Sequence, residues 1–356
     1  MTTLDGRTEP RRRPRAWATR LTGATGQFGA LLRHAPLTVA VTALIWIVGA
    51  ATGSLRAGPS PPVLRVVGTG PGALAAGRWW TPVSSALWCA DITWYQVTTV
   101  LLLTLVAPAE HRFGAAKTGL LLLITQIGGT FAGSALVQLG SLAGDEWTEQ
   151  LAAGVTVGAG PAAVGVGLAL TSRLSTLWRR RLRLLLLLAL LLLVAYSGTL
   201  PDVLRLAAGL TGLLAGPLLL GRSPRAAPLV ASRSERRVLA APVVAATAVG
   251  PVVAALSDTP IGPLSVLRYL LLAPPPDAFT VQQICADPAT VEDCRALRAQ
   301  LTVSGVGPAI MTLLPVVLLL VTATGLRRGR RAAWWAALLL NLALAGMAVL
   351  LATELF

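Results

Sequence analysis

The stretch of this sequence that comes closest to a site of covalent chemistry is "VTVGAGPAAVG" at residues 155–165. A serine or cysteine enzyme needs a hydroxyl or thiol nucleophile, and a base within hydrogen-bond reach of it. Gly160 stands at the centre of this small-residue turn, and the only two histidines are His34 and His111. Whether the stretch supports chemistry or only helix packing therefore depends on the elements around it.

The composition is that of a membrane protein. Of the 356 residues, 54% are hydrophobic and 13% are charged, whereas soluble domains carry roughly 25% charged residues. The apolar stretches are continuous and do not alternate with polar residues, which indicates membrane helices and excludes a barrel. The formal net charge of +15 would suggest a nucleic-acid partner in a soluble protein. Here the placement of the charges along the chain explains it without nucleic acid.

Nine segments are predicted to span the membrane: 36–55, 83–107, 116–138, 152–172, 183–199, 202–221, 238–257, 306–326 and 332–354. With the N-terminus inside, the inner loops hold 23 of the 30 basic residues but only 4 of the 15 acidic ones. Cytoplasmic loops are enriched in Lys and Arg. We therefore predict a multi-pass protein with a cytoplasmic N-terminus and an outer C-terminus. Arg makes up 29 of the 30 basic residues, and together with the heavy use of Ala, Leu and Gly this codon bias suggests a GC-rich bacterial genome, so we place the protein in a bacterial plasma membrane.

Four regions follow from this pattern. Residues 1–35 form a basic cytoplasmic tail, and residues 36–221 form a six-span core. Residues 222–237 form a basic cytoplasmic linker, and residues 238–356 form a three-span extension with a long outer loop at 258–305.

Several motif residues occur one after another along the core. They are Trp79 and Trp80 in the first outer loop, Glu110, Arg112 and Gly114 at an inner turn, Gly158 and Pro161 in the fourth span, and Gly212 and Gly216 in the sixth. In this order and spacing the core resembles the rhomboid family of intramembrane serine proteases. The resemblance implies an all-α polytopic membrane fold, with a rhomboid-like six-helix core followed by three additional transmembrane helices.

The resemblance also implies that the family's chemistry is missing. It places the nucleophilic serine at Gly160 and the catalytic histidine at Gly209. It places the polar residues that stabilise the oxyanion at Cys89, Trp94 and Thr98. Independently of the family, His34, His111 and Lys117 all lie on the predicted inner side, away from an outward-opening site. We therefore predict no catalytic residues, no bound metal and no cofactor.

Four other features could carry a function. Asp91, near the outer end of the second span, is a possible polar site, although a hydrated interfacial carboxylate also fits. Asp202 and Arg205 could pair, although a solvated helix end is the simpler interpretation. Cys285 and Cys294 lie in one short stretch of the last outer loop, where a disulfide can persist, and we predict that they are bonded. Residues 152–160 are predicted to be irregular chain buried in the protein, with a short helix from Pro161.

These observations favour a membrane-embedded binding or scaffold module for a client membrane protein or a phospholipid. The extension resembles the membrane part of actinobacterial aminoacyl-phosphatidylglycerol synthase proteins, so the alternative is a flippase-like, lipid-handling membrane part of such a system. An active intramembrane serine protease would need a base that the sequence does not supply.

Overall fold

The computed structural model describes residues 35–221, 317–326 and 331–355, with short pieces at 242–247, 249–250, 252–253 and 261–265 and single residues at 285, 328 and 330. Within these ranges the protein is all-α, as predicted, and its one β-type contact is an isolated bridge between Thr69 and Thr156. The basic tail, the linker at 222–237 and most of the outer loop at 258–305 lie outside the described residues.

The helices of the core have the following bounds: α1 Pro36–Ala51, α2 Pro61–Val67, α3 Pro71–Ala75, α4 Thr81–Ser84, α5 Ile92–Phe113, α6 Ala115–Leu142, α7 Glu146–Ala152, α8 Gly160–Leu170, α9 Thr176–Leu192 and α10 Leu200–Leu220. Beyond the core, the structure describes α11 Val317–Leu326 and α12 Arg331–Leu355. Of the described helices, α5, α6 and α10 are long and apolar enough to cross a membrane, and α1 and α11 are shorter apolar helices.

Among the core spans, the second and the fourth differ most from their predicted bounds. The second span, predicted at 83–107, begins at Ile92 because the Asp91 side chain caps the first turn of α5, and Thr81–Leu87 forms only short helical turns. The fourth span, predicted at 152–172, contains an 11-residue helix, α8. At about 1.5 Å per residue such a helix covers roughly half of a bilayer's hydrocarbon core.

The short helix α8 is the centre of the core. All of its residues, Gly160–Leu170, are buried, because they are small enough for α5, α6 and α10 to surround them. A Cβ added at Gly212 of α10 would overlap the carbonyl oxygen of Gly165, and one added at Gly216 would lie 2.8 Å from the Cα of Ala169. These two glycines therefore lie where α10 meets the backbone of α8, the usual role of small residues spaced by four in membrane helices.

The C-terminal end of α5 holds α1 in place. Glu110 is buried, and its carboxylate accepts hydrogen bonds from the backbone N–H groups of Leu37 and Thr38, at 2.7 and 2.8 Å. Gly114 then adopts a φ of 80°, which joins α5 to α6 in a conformation that favours glycine. Arg112 is exposed. The motif residues Glu110 and Gly114 thus have a structural role, as a helix cap and a turn.

Helix α5 contains one wide turn. Residues Leu102–Val106 have π-type hydrogen bonding, and Pro108 lies two residues after Val106. Pro108 has no N–H with which to bond the carbonyl of Thr104, so a local departure from the α-helical pattern is expected there.

The carbonyl groups at the C-terminal end of α9 accept hydrogen bonds from a later part of the chain. Residues Leu193–Ser197 form a second π-type turn, and Gly198 follows in the left-handed conformation. The N–H groups of Ile261 and Leu264 donate to the carbonyls of Ser197 and Ala195, at 3.0 and 2.8 Å. Helix ends leave such carbonyls without partners inside the helix. A piece of the predicted outer loop therefore packs on the core.

Candidate functional site

A cavity of about 460 Å³ lies at the N-terminal end of α8. Its wall is formed by the start of α5, the middle of α6, the segment before α8 and the start of α10. Nine residues that the sequence singled out line it together: Cys89, Asp91, Trp94, Thr98, Gly158, Gly160, Pro161, Asp202 and Arg205. Gly209, the predicted position of the base, is not among the residues that line this cavity.

The segment before α8 is fixed by hydrogen bonds. Thr156 and Thr69 exchange backbone hydrogen bonds of 2.8 and 2.9 Å, and the N–H of Gly158 donates to the carbonyl of Ser85 at 2.9 Å. Residues 153–159 are irregular chain, as predicted. They are mostly half-buried, however, because one side of the segment lines the cavity. Irregular backbone at membrane depth is tolerated in such a place.

Gln126 of α6 completes this arrangement. Its side-chain NH₂ donates to the carbonyl of Pro82 at 3.0 Å and to that of Gly158 at 3.4 Å, and its Oε1 accepts from the N–H of Ala162 at 3.1 Å. Pro161 has no N–H to offer. The first turn of α8 therefore directs few free donors into the cavity, although a helix N-terminus is often an anion site.

Arg205 and Asp202 of α10 form a buried pair. Nη1 of Arg205 lies 2.6 Å from Oδ1 of Asp202, and the two side chains are 11% and 3% exposed. The hydroxyl of Thr199 donates to the other oxygen of Asp202 at 2.6 Å, in a capping box that starts α10. The prediction of a solvated helix end is wrong, because the ring of Trp94 covers the guanidinium, with Cζ 4.5 Å from the ring centroid.

The guanidinium of Arg205 faces Gly160, the predicted position of a nucleophile. A Cβ added at Gly160 would lie 3.0 Å from Nε of Arg205. The nearest atoms to a Cβ added at Gly209 belong instead to Leu168, Leu190 and Val164. A guanidinium stays protonated in proteins and offers only donors, so it cannot act as a general base.

The position of Arg205 in the sequence already indicates that it lies near the predicted site. Arg205 lies four residues before Gly209, so it projects from the same face of α10 one turn away. Its closeness to Gly160, 45 positions earlier in the chain, depends on how the helices pack.

The remaining site residues have local partners. Cys89 is buried, and its Sγ lies 3.6 Å from Oγ1 of Thr98. Cys89 precedes the membrane-spanning part of α5, and burial raises the pKa of its thiol to about 11, with the hydrogen bond to Thr98 opposing the shift. Asp91 accepts from the N–H of Trp94 at 3.0 Å and is partly exposed, so it acts as the cap of α5.

Two exposed tryptophans mark one end of the core. The ring of Trp79 stacks on that of Phe131, with centroids 5.7 Å apart, and Trp80 lies beside it on the surface. Exposed tryptophans are typical of the membrane–water interface. Among the described residues, no three His, Cys, Asp or Glu side chains come close enough together to hold a metal ion. Cys294 lies outside the described residues, so the bond to Cys285 stays a prediction.

The helices and the cavity define an all-α protein with helices that can span a membrane. No protein-family model matches the chain, and no solved structure matches it. The chain is similar to an uncharacterized protein of Corynebacterium glutamicum, with 34% identity over 252 residues. The match covers 69% of this chain and 32% of that protein, so the chain spans about a third of the length of this curated relative.

Proposed function

We propose that this protein is a non-catalytic, rhomboid-like membrane protein whose cavity binds a partner within the membrane. The observation that carries the proposal is the guanidinium of Arg205, whose Nε would lie 3.0 Å from a Cβ added at Gly160, so that a cation and not a base stands beside the predicted position of the nucleophile. Cys89, Trp94 and Thr98, the positions that the resemblance assigns to oxyanion stabilisation, line the same cavity, whereas Gly209, the assigned position of the base, does not. Motif positions up to 71 residues apart thus converge on one place, which supports the resemblance itself.

The chemistry of the cavity supports a binding role. Neither His nor Lys is among the residues that line it. Its one thiol, Cys89, has a raised pKa and is therefore a poor nucleophile at neutral pH. What the lining supplies is a guanidinium held by Asp202, several hydroxyls, and apolar surface from Val97 and Leu204. Such a mixture can hold a ligand that has both polar and apolar parts.

A labelling experiment tests the absence of catalysis. The purified wild-type chain is treated with a fluorophosphonate probe and is separately incubated with a membrane-anchored reporter. We expect no label and no cleavage, and we expect the same of Gly160→Ser, because the new hydroxyl would lie beside a guanidinium and not a base. Label on the wild type, or reporter cleavage that survives Cys89→Ala, would show an active enzyme and refute the proposal.

Two partners fit the cavity: a transmembrane segment of a client protein, and a phospholipid. The lipid-handling alternative is favoured by the lining, since a guanidinium beside apolar side chains suits a headgroup joined to acyl chains. A photo-crosslinking amino acid at Val97, which lines the cavity and is 37% exposed, tests both. The matched control is Leu120, which is 47% exposed on α6 outside the cavity. Mass spectrometry of the adduct identifies lipid or protein, and equal adducts at both positions would argue against a binding cavity.

The finer topology is part of the same proposal. We propose six core spans and three additional spans in a bacterial plasma membrane, with the N-terminus in the cytoplasm and the C-terminus outside. The charge asymmetry supports it. Single cysteines placed in the linker at 222–237 should react with a membrane-impermeant maleimide only after the cells are opened. Labelling of that linker in intact cells would overturn the orientation.

A further inference from the structure

A second cavity, of about 370 Å³, lies at the arginine-rich end of α9. It is lined by Ser172, Arg179, Arg183, Leu187, Leu213 and Pro217, and it shares no residue with the cavity at α8. One end of it is polar and cationic, whereas Leu187, Leu213 and Pro217 form an apolar floor between α9 and α10.

Two polar groups of this cavity have no partner among the described residues. Ser172 is 1% exposed, and its hydroxyl makes no hydrogen bond there. Nε of Arg179 is also buried without a partner, while Nη2 of the same side chain donates to the carbonyl of Leu174 at 3.1 Å and so fixes the guanidinium. Leaving such a group unpaired costs about 1–3 kcal/mol. A ligand with acceptor oxygens would satisfy both groups.

The chain around the cavity is rich in positive charge. Helix α9 begins with Thr176, and four arginines follow within its first eight residues: Arg179, Arg180, Arg181 and Arg183. Its first turn contains no acidic residue, and the sequence contains none between Glu149 and Asp202. The helix dipole places further positive charge at this end. The local potential therefore favours an anion.

A third contact shapes the site. Nε of Arg183 donates to Oγ1 of Thr171 at 2.7 Å, and Thr171 in turn donates to the carbonyl of Leu168 at 2.6 Å. The side chain of Arg183 is thereby held against the turn that carries Ser172. The guanidinium groups of Arg179 and Arg183 and the hydroxyl of Ser172 are thus fixed along one wall of the cavity.

We propose that this second cavity binds the phosphate group of a phosphate ester. Phosphate offers several acceptor oxygens and a full negative charge, and arginine side chains recognise it with paired N–H donors. The apolar floor would accept the hydrocarbon part of the ester. Basic pockets between membrane helices bind phospholipid headgroups in this way. The same chemistry would also accept a free phosphate, and the test separates the two sources.

The test uses the full chain in detergent. Binding of inorganic phosphate is measured by titration calorimetry, and binding of phosphatidic acid, against phosphatidylcholine, is measured by native mass spectrometry. Arg179→Gln should lower the affinity for whichever of the two probes binds by roughly tenfold, because a charge-assisted hydrogen bond is lost. The matched control is Arg173→Gln, which removes the same charge from an exposed residue outside the cavity and should change binding less than about twofold.

Ser172→Ala provides a second variant that keeps the charge and the helix intact. It should weaken binding by roughly threefold to tenfold, even if Arg179→Gln does not fold. Response to phosphatidic acid alone would identify a lipid headgroup, and response to inorganic phosphate would identify a soluble ligand. Either result supports the site. Equal losses in Arg179→Gln and Arg173→Gln, an unchanged affinity in Ser172→Ala, or no binding of either probe would overturn it.

Discussion

Glu110 and Thr38 are joined by two hydrogen bonds although they lie 72 positions apart in the chain. One oxygen of the Glu110 carboxylate accepts from both the backbone N–H and the hydroxyl of Thr38, at 2.8 and 2.7 Å. The other oxygen accepts from the N–H of Leu37. A single buried carboxylate therefore caps the first turn of α1, whose N–H groups have no partner inside the helix.

Replacing this carboxylate should destabilise the core. Glu110→Ala would leave three donors without their acceptor, and Glu110→Gln would turn an amide NH₂ toward N–H groups. We expect a loss of about 3 kcal/mol or more for Glu110→Ala, since each unsatisfied buried donor costs about 1–3 kcal/mol. Unfolding by titration with a denaturing detergent measures it. Glu149→Gln is the control, because Glu149 is exposed on α7 and should change stability little.

The Asp202–Arg205 pair gives a second prediction. Arg205→Met removes the partner of a buried carboxylate and should cost about 3 kcal/mol, the low end for a broken buried pair because Thr199 still holds Asp202. Adding Asp202→Asn to Arg205→Met should recover part of that loss, because no unpaired charge then remains. A double-mutant cycle on unfolding free energies measures the coupling. Additive losses would mean that the pair contributes no interaction of its own.

The contact between α8 and α10 gives a third prediction. Gly212→Ala would place a methyl group against the backbone oxygen of Gly165, which no side-chain rotation can relieve. We expect a loss of about 3 kcal/mol in unfolding free energy, typical of an overpacked core. Gly119→Ala is the matched control on α6, because its new Cβ would meet only Leu37 Cδ2, at an ordinary 3.5 Å. The idea fails if the two variants are equally stable.

Cys89 should be slow to alkylate. At pH 8 a thiol whose pKa is raised from 9.0 to about 11 has roughly a hundredfold less thiolate, which is the reactive form. Burial of the sulfur slows the reaction further. The test uses a Cys285→Ser, Cys294→Ser variant, in which Cys89 is the remaining thiol, and measures maleimide addition by mass spectrometry. Labelling of Cys89 should be much slower in the folded chain than in the unfolded one, and its rate should keep rising with pH toward 11. Equal rates in the two states would contradict the burial of Cys89.

The Cys285–Cys294 disulfide is tested on the intact chain. Thiol alkylation of the unfolded chain without reductant should leave two of the three cysteines unmodified, and alkylation after unfolding and reduction should modify all three. The mass difference between the samples counts the protected thiols. Alkylation of both Cys285 and Cys294 without reductant would mean that no bond joins them.

The long helices were predictable because their signal is local. Helix α6, Ala115–Leu142, was predicted at 116–138 from an unbroken apolar run that follows Gly114. Helix α10, predicted at 202–221, is observed at Leu200–Leu220. The predicted start of α5 is too early because apolar residues continue on the N-terminal side of Asp91. An aspartate before a helical run is nevertheless a signal for a helix cap.

The candidate site was predictable only in part. The motif order pointed to Cys89, Trp94, Thr98 and Gly160, and these residues line one cavity. The pairing of Asp202 with Arg205 is predictable from their spacing, but its burial is not, because the burial depends on Trp94, which reaches α10 from another helix. The apolar surroundings of Gly209 likewise come from α8 and α9. Contacts between distant segments leave no pattern in a single sequence.

The wide turn at Leu102–Val106 has a consequence for how this protein tolerates insertions and deletions. An α-helix turns by about 100° per residue, so Thr98 and Glu110, 12 positions apart, would be offset by about 120° in an unbroken α-helix. A π-type turn accommodates about one extra residue, which reduces that offset to roughly 20°. Thr98 can thus reach the cavity and Glu110 the start of α1 from one side of the helix. Loss of a single codon within this turn would convert it to a regular α-helical turn and leave the two halves of α5 in register, whereas gain of a codon there would rotate them apart by about 100°.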